Sequence, residues 1–108
     1  MSIDHFTKLI TFVRKKIHKD FAIPQLHLFL LICENEGITQ PELAKHASMP
    51  QATLSRNVRT LGKSYNKETK QIEGYGLVDV RPDLYERRRL ACFLTEEGKA
   101  VRDAIRAL

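Results

Sequence analysis

Cysteine is scarce in this 108-residue sequence: the two present, Cys33 and Cys92, lie far apart and each falls in an apolar run. Two are too few for a disulfide framework, and no pair has metal-ligand spacing. Buried, reduced thiols are the expectation, with a redox sensor as the alternative. Histidine is no better organised. His5, His18, His27 and His46 make no HxxH or HxxxH pattern, which leaves a metal site without support. A phosphate-cradling glycine-rich loop and a nucleophile elbow are both missing, so no enzyme and no cofactor is expected. Long hydrophobic runs are absent too. Asp4, Lys8 and Arg14 interrupt any signal-like stretch at the start, and no segment reaches membrane-spanning length. These absences point to a cytoplasmic protein with no membrane partner.

What is present is enough for one small domain over residues 1–108: 43% of the residues are hydrophobic, sufficient for a modest core. The formal net charge is +5, unevenly distributed. Residues 1–21 carry +3, residues 22–49 carry −2, residues 50–93 carry +4 and residues 94–108 balance. Basic charge thus collects on the first helix and on the middle of the chain, which permits an anionic partner without demanding one.

The middle of the chain is organised around Thr39 to Lys63. It reads as two short helices joined by a tight turn. Thr39-Gln40-Pro41-Glu42 predicts a capping box, and Ser48-Met49-Pro50-Gln51 predicts a second start of the same kind. The second helix, about Pro50 to Lys63, has two faces. Leu54, Val58 and Leu61 recur at core-facing spacing. Gln51, Ser55 and Arg59 form the opposite stripe, flanked by Ala52, Thr53 and Arg56, and that face has no acid. Base edges and phosphates call for such groups, although a solvated surface helix has the same composition.

On either side the pattern is helical with one exception. Ile3, Phe6, Ile10, Val13, Ile17 and Phe21 fall on one face of a helix over residues 3–21, with Leu9 beside them. That helix is expected to pack on the domain or on a second copy of itself; its lysines make membrane-surface binding the lesser reading. After Pro24, a nearly all-apolar helix is expected from Gln25 to Glu36, ended by Gly37 at its C′ position, with His27 as an ordinary helix residue. Ser64 to Gly76 is polar and reads as a loop or a helical extension followed by a loop. Leu77 to Arg81 reads as a strand, Pro82-Asp83 as a turn and Arg87 to Leu94 as the antiparallel return. Thr95-Glu96-Glu97 caps a last helix over 95–108, with Val101, Ala104, Ile105 and Leu108 on one face.

The expected fold class is mainly α with a small β-hairpin wing over 77–94, a winged helix-turn-helix with its helix pair at 39–63. A helix about 20 Å long can lie in a major groove, and an arginine on an adjacent hairpin can enter a narrow minor groove. Arg87-Arg88-Arg89 lies at the tip of that hairpin.

The sequence resembles the MarR-type winged-helix regulators over about Ile23 to Ala100. The resemblance runs through Ile23-Pro24-Gln25-Leu26, Gly37 to Ala44, Gln51 to Arg56, Gly76-Leu77-Val78, Arg81-Pro82-Asp83, and Glu86-Arg87-Arg88 leading into Leu94-Thr95-Glu96-Glu97-Gly98. The Asp-x-Arg wing pattern followed by Leu-Thr-x-x-Gly is its most specific part. The resemblance implies that Arg88 probes the minor groove, that Glu86 braces it, and that Gln51 to Arg56 meet the major groove. Three features depart from the pattern. Glu86 stands for the usual Asp, Ala47-Ser48 lacks the frequent glycine, and Ser64 to Tyr75 is an insertion of about a dozen residues. Winged-helix proteins of phages and mobile elements resemble this short variant.

The implied function is a dimeric, sequence-specific regulator of double-stranded DNA, most simply a prokaryotic repressor found at the nucleoid when bound. Gln51, Ala52, Thr53, Ser55 and Arg56 are expected to face base edges or their adjacent phosphates. Arg59 and the amides near Thr39, with Gln40 beside them, are expected to anchor phosphates, Arg87 and Arg89 to meet the backbone, and Arg88 to sit in the minor groove. The family usually dimerises through terminal helices around a pocket for phenolic or oxidant signals. Here Leu108 follows soon after the wing, so a homodimer is expected to rest on Ile3 to Phe21 and the short last helix, and a small-molecule effector is doubtful. A winged-helix protein-interaction adaptor and a DNA-binding part of a replication or partition complex are the alternatives.

Overall fold

The apolar run after Pro24 becomes the central helix of the core. The computed structural model describes residues 2–108. The chain forms α1 (Ile3–Lys16), α2 (Ile23–Glu34), α3 (Gln40–Ala47) and α4 (Gln51–Leu61). A short hairpin follows, β1 (Ser64–Asn66) with β2 (Gln71–Glu73). A longer one, β3 (Val78–Pro82) with β4 (Leu90–Leu94), precedes α5 (Glu96–Arg106). Leu28, Phe29 and Ile32 of α2 are fully buried against Leu43 of α3, Leu54, Val58 and Leu61 of α4, and Val78, Cys92 and Leu94 of the longer hairpin. His27 is exposed on the helix surface. Burial of each large aliphatic side chain contributes about 1.5–3 kcal/mol, so this one cluster sets the relative positions of α2, α3, α4 and the hairpin. Among the described residues no helix is long and apolar enough to cross a membrane.

Local hydrogen bonds move several boundaries from where the sequence pattern put them. α1 ends at Lys16 and does not run to Phe21. Arg14 Nε donates to Lys19 O at 3.0 Å and His18 Nδ1 accepts from Asp20 N at 3.0 Å, turning the chain. Phe21 leaves the helix and packs its ring 4.9 Å from that of Tyr75. α2 begins at Ile23, with Pro24 in its first turn and Ala22 N donating to Gln25 Oε1 at 3.2 Å. It stops at Glu34 because Asn35 caps it. Gly37 therefore lies beyond the C′ position and donates its amide to Cys92 O at 2.8 Å.

The two expected capping boxes also differ. Thr39 does cap α3, accepting from Glu42 N at 3.4 Å, but its hydroxyl donates to Glu42 Oε1 at 2.9 Å. The carboxylate takes the hydroxyl proton in place of a backbone amide, so half of the box is made. Ser48 caps nothing at the start of α4. It ends α3 in the left-handed conformation, φ 53° and ψ 49°, and α4 starts from Pro50 with no side-chain cap. A serine here carries the tight turn that a glycine carries with less strain.

The largest departure is the segment after α4. Ser64 to Gly76 holds a hairpin of its own, registered Ser64↔Glu73, Tyr65↔Ile72 and Asn66↔Gln71, and the insertion is therefore neither loop nor helix. In the longer hairpin Val78 faces Leu94 and Pro82 faces Leu90, so the return strand begins at Leu90 and the three arginines lie in the connecting loop. Gly37–Thr39 adds a stub of third strand, with Thr39 bridged to Ala91 and Cys92 N donating to Ile38 O at 2.8 Å. Thr95 caps α5 as expected, accepting from Gly98 N at 3.0 Å and donating to Gly76 O at 2.6 Å.

Candidate nucleic-acid interface

The face of α4 turned away from the core carries the expected polar stripe. Gln51, Ala52, Ser55, Arg56 and Arg59 are exposed and Thr53 is half-buried. Leu54, Val58 and Leu61 on the opposite side are sealed, which fixes the helix about its own axis. The polar side chains therefore point outward as a consequence of the packing beneath them. Asn57, half-buried, donates to Thr53 O at 3.0 Å and closes the flank. Gln40 meets this face at the start of α3, where its Oε1 accepts from Ser55 Oγ at 3.5 Å. Thr39 does not: it is buried, its hydroxyl is occupied by Glu42, and its role is to hold α3 against β4.

The wing tip is built by one carboxylate. Asp83 Oδ2 accepts from Glu86 N at 3.0 Å and from Tyr85 N at 3.3 Å. Asp83 N donates to Arg89 O at 2.9 Å, and Arg89 N to Glu86 O at 2.9 Å. This closed turn pushes the three arginines into solvent. Glu86 Oε1 pairs with Arg88 Nε at 3.2 Å, while the Arg88 side chain stays 91% exposed. A pair this exposed adds only about 0–1 kcal/mol to stability. Arg56, Arg59, Arg87 and Arg89 make no ion pair among the described residues. Exposed, unneutralised guanidiniums suit phosphate oxygens.

A groove between α4 and β3 connects the two elements. Arg59 and Lys63 line one side, and Arg81 with Asp79 the other, closed by the start of α5. Arg81 pairs with Asp79 at 3.3 Å, and its guanidinium stacks 3.9 Å from the centre of the Phe93 ring. The α4 stripe and the wing are thus mounted on one packed frame, joined through the core cluster and through the pairing of Thr39 with Ala91.

Sequence reasoning missed two groups here. Leu84 and Tyr85 are among the most exposed large hydrophobic residues, at the wing tip next to the arginines. Two apolar side chains inside a charged turn were the available signal. It also missed the cross-strand pair Tyr65 and Ile72 on the short hairpin, whose alternation is too brief to stand out from its polar neighbours.

Neither cysteine belongs to the site. Burial pushes the Cys92 thiol up to about 11. Cys33, between α2 and α5, also sits at about 11, raised by desolvation and pulled back in part by Arg102 and Arg106. Thiols held protonated in this way are poor nucleophiles at neutral pH, which favours the structural reading over the redox one.

No protein-family model and no curated protein matches the sequence. Solved structures do match the fold. MepR from S. aureus, in its complex with DNA, superposes with a TM-score of 0.68 at 21% identity, covering 96% of this chain and 75% of that one. The PcaV transcriptional regulator from Streptomyces coelicolor matches with 0.64 at 18% identity, over 96% of this chain and 68% of that one. A MarR protein from Peptoclostridium difficile matches with 0.63 at 22% identity, over 94% of this chain and 57% of that one. The chain has the winged-helix fold of MarR-type regulators, and it spans only part of the length of each of these three proteins.

Proposed function

We propose that this chain is a transcriptional regulator that binds double-stranded DNA as a homodimer, most simply as a repressor. The observation that carries the reading is the pairing of two surfaces on one frame: an acid-free, exposed polar face on α4 and a loop of three exposed arginines, one of them paired with Glu86. In this reading α4 lies in the major groove. Gln51, Ala52, Thr53, Ser55 and Arg56 face base edges, and Arg59 and Gln40 face the flanking backbone. Arg88 enters the minor groove, where the potential is most negative, and Arg87 and Arg89 meet phosphates on either side. Thr39 contributes by holding α3, not by touching DNA.

The outer face of α1 supports the dimer. Ile3 is 85% exposed and Phe6 51%, with Ile10 exposed one turn further on, whereas Val13 on the same stripe is buried. In this reading a second copy covers that stripe, and the two α4 helices read half-sites about 10–11 bp apart on one duplex.

Selection of bound duplexes from a random pool tests the reading. An enriched inverted repeat with that spacing is the expected result. Absence of any enriched sequence, together with no retardation of random duplex at low salt, overturns it. The exposed Leu84 and Tyr85 favour a second reading, in which the wing docks on an acidic protein surface. That adaptor reading predicts no DNA retardation even at tens of micromolar protein, where non-specific binding at roughly 10⁻⁴–10⁻⁶ M would be visible.

A further inference from the structure

The outer end of the longer hairpin has a composition that presenting arginines does not explain. Val78 and Leu94 at its inner end are buried. At its outer end Pro82 faces Leu90 across the strands, and both are exposed. Leu84 and Tyr85 lie in the loop between them, 80% and 96% exposed. Apolar residues thus stand in water where a solvated turn would carry polar ones. Tyr85 lines, with Arg89, the open hollow between the wing and α3; Leu84 stands outside it.

The free charge at this tip is cationic. Asp83 and Glu86 against Arg87, Arg88 and Arg89 leave the loop at +1. Both acids are engaged within the loop, Asp83 by the amides of Tyr85 and Glu86, and Glu86 by Arg88. Arg87 and Arg89 make no ion pair among the described residues. The fitting occupant is therefore anionic at its rim and apolar behind it. A duplex minor groove has that layering: phosphates border a cleft about 6 Å wide, and stacked base faces lie behind its floor. An anionic bilayer is layered in the same way, but a duplex also engages the acid-free α4 face, which is mounted on the same frame as the wing.

We propose that the wing tip is a wedge. Leu84 enters a base step from the minor groove beside Arg88, Tyr85 lies along the sugars, and Arg87 and Arg89 hold the phosphates on either side. Partial unstacking at that step kinks the duplex toward its major groove, by roughly 20–90°. The inference rests on the DNA-binding reading above and adds to it a determinant that makes no hydrogen bond to a base. Pyrimidine–purine steps such as TA and CA/TG open most readily, so Leu84 selects a step by its deformability while α4 selects bases by their edges.

Leu84→Ala tests it, because an exposed side chain is removed and all three arginines stay in place. 2-Aminopurine is walked through the adenines of the selected duplex, and the distance between the duplex ends is followed by energy transfer. With the wild type, one position in each half-site should brighten on binding, and the ends should approach. Leu84→Ala should lose the brightening and most of the bend, together with the preference for a TA over a GG step at that position. Its slope of log K against log salt should not change, since no phosphate contact is lost. Leu84→Met keeps an apolar wedge and should retain both signals. A wild-type complex with stacked bases and a straight duplex overturns the wedge and leaves the DNA-binding reading standing. A Leu84→Ala complex that brightens and bends like the wild type does the same. A wild-type protein that binds no duplex overturns both, and binding to vesicles of anionic phospholipid in its place would make a bilayer the occupant.

Discussion

Glu86 Oε1 lies 3.2 Å from Arg88 Nε, two residues along a loop whose turn is tied by Asp83. The acid does two opposing things if the loop meets DNA. It restricts the arginine to one direction, and it places a negative charge near phosphates. Removing it should therefore separate affinity from discrimination. Glu86→Ala is expected to bind random duplex as well as the wild type or better, and to lose preference for sites with a narrow, A·T-rich minor groove. Competition binding between A-tract and mixed-sequence duplexes reads this out; an unchanged preference means that the brace does not aim Arg88.

Arg56 and Lys63 are predicted to fail differently. Arg56 lies on the exposed face of α4, and Lys63 lies beyond the helix end, in the groove with Arg59. Arg56→Ala should weaken binding to the selected site by roughly 1–3 kcal/mol while leaving random DNA nearly unaffected. Lys63→Ala should weaken both similarly and flatten the salt dependence by about 0.9. Titrations on both duplexes at several salt concentrations distinguish the two. Equal losses for Arg56→Ala would remove its base-reading role.

Phe6 is half-exposed at the middle of the α1 stripe. A glutamate there adds a charge that dimer burial would have to desolvate, at a cost of several kcal/mol. Phe6→Glu should sediment as a monomer with an unchanged melting profile of the core, and should bind a half-site no more weakly than a full inverted repeat. A dimer that persists would place the contact between copies elsewhere.

The cysteines give a pH prediction. Both thiols are raised from 9.0 to about 11 in the folded chain. The folded state keeps protons that the unfolded state releases between those values. Stability is therefore fully present below pH 9 and falls as pH rises toward 11. Denaturant midpoints across this range should fall less steeply for Cys33→Ala combined with Cys92→Ala than for the wild type, and alkylation of the native protein at pH 7.5 should be slow. Rapid alkylation would restore a redox role.

What the sequence made legible follows from what period and composition encode. Leu54, Val58 and Leu61 recur at helical spacing, so the buried side of α4, and with it the exposed stripe, could be read directly. The brace between Glu86 and Arg88 was implied by resemblance and is present in the geometry. The rest turned on single hydrogen bonds. Nothing in the residue types says that Glu42 will take the Thr39 hydroxyl in place of a backbone amide, or that His18 will end α1 by accepting from Asp20. The short hairpin was invisible for a different reason. Its strands are three residues each and lie outside the core, so the single alternation in β1 and the uniform exposure of β2 are too short to mark them.

The base of that hairpin is a pinch. A methyl group on Gly74 would sit 1.9 Å from the Gly62 carbonyl oxygen, and the Gly76 amide donates to the same oxygen at 3.1 Å. Two stretches of backbone are thus clasped with no space for a side chain between them, directly beneath the end of the helix. Whatever lies outboard of this clasp can be lengthened, trimmed or exchanged without disturbing anything inboard. The appendage is a replaceable attachment on a fixed mount, and a graft of a different loop at residues 64–73 should leave the rest of the molecule where it stands.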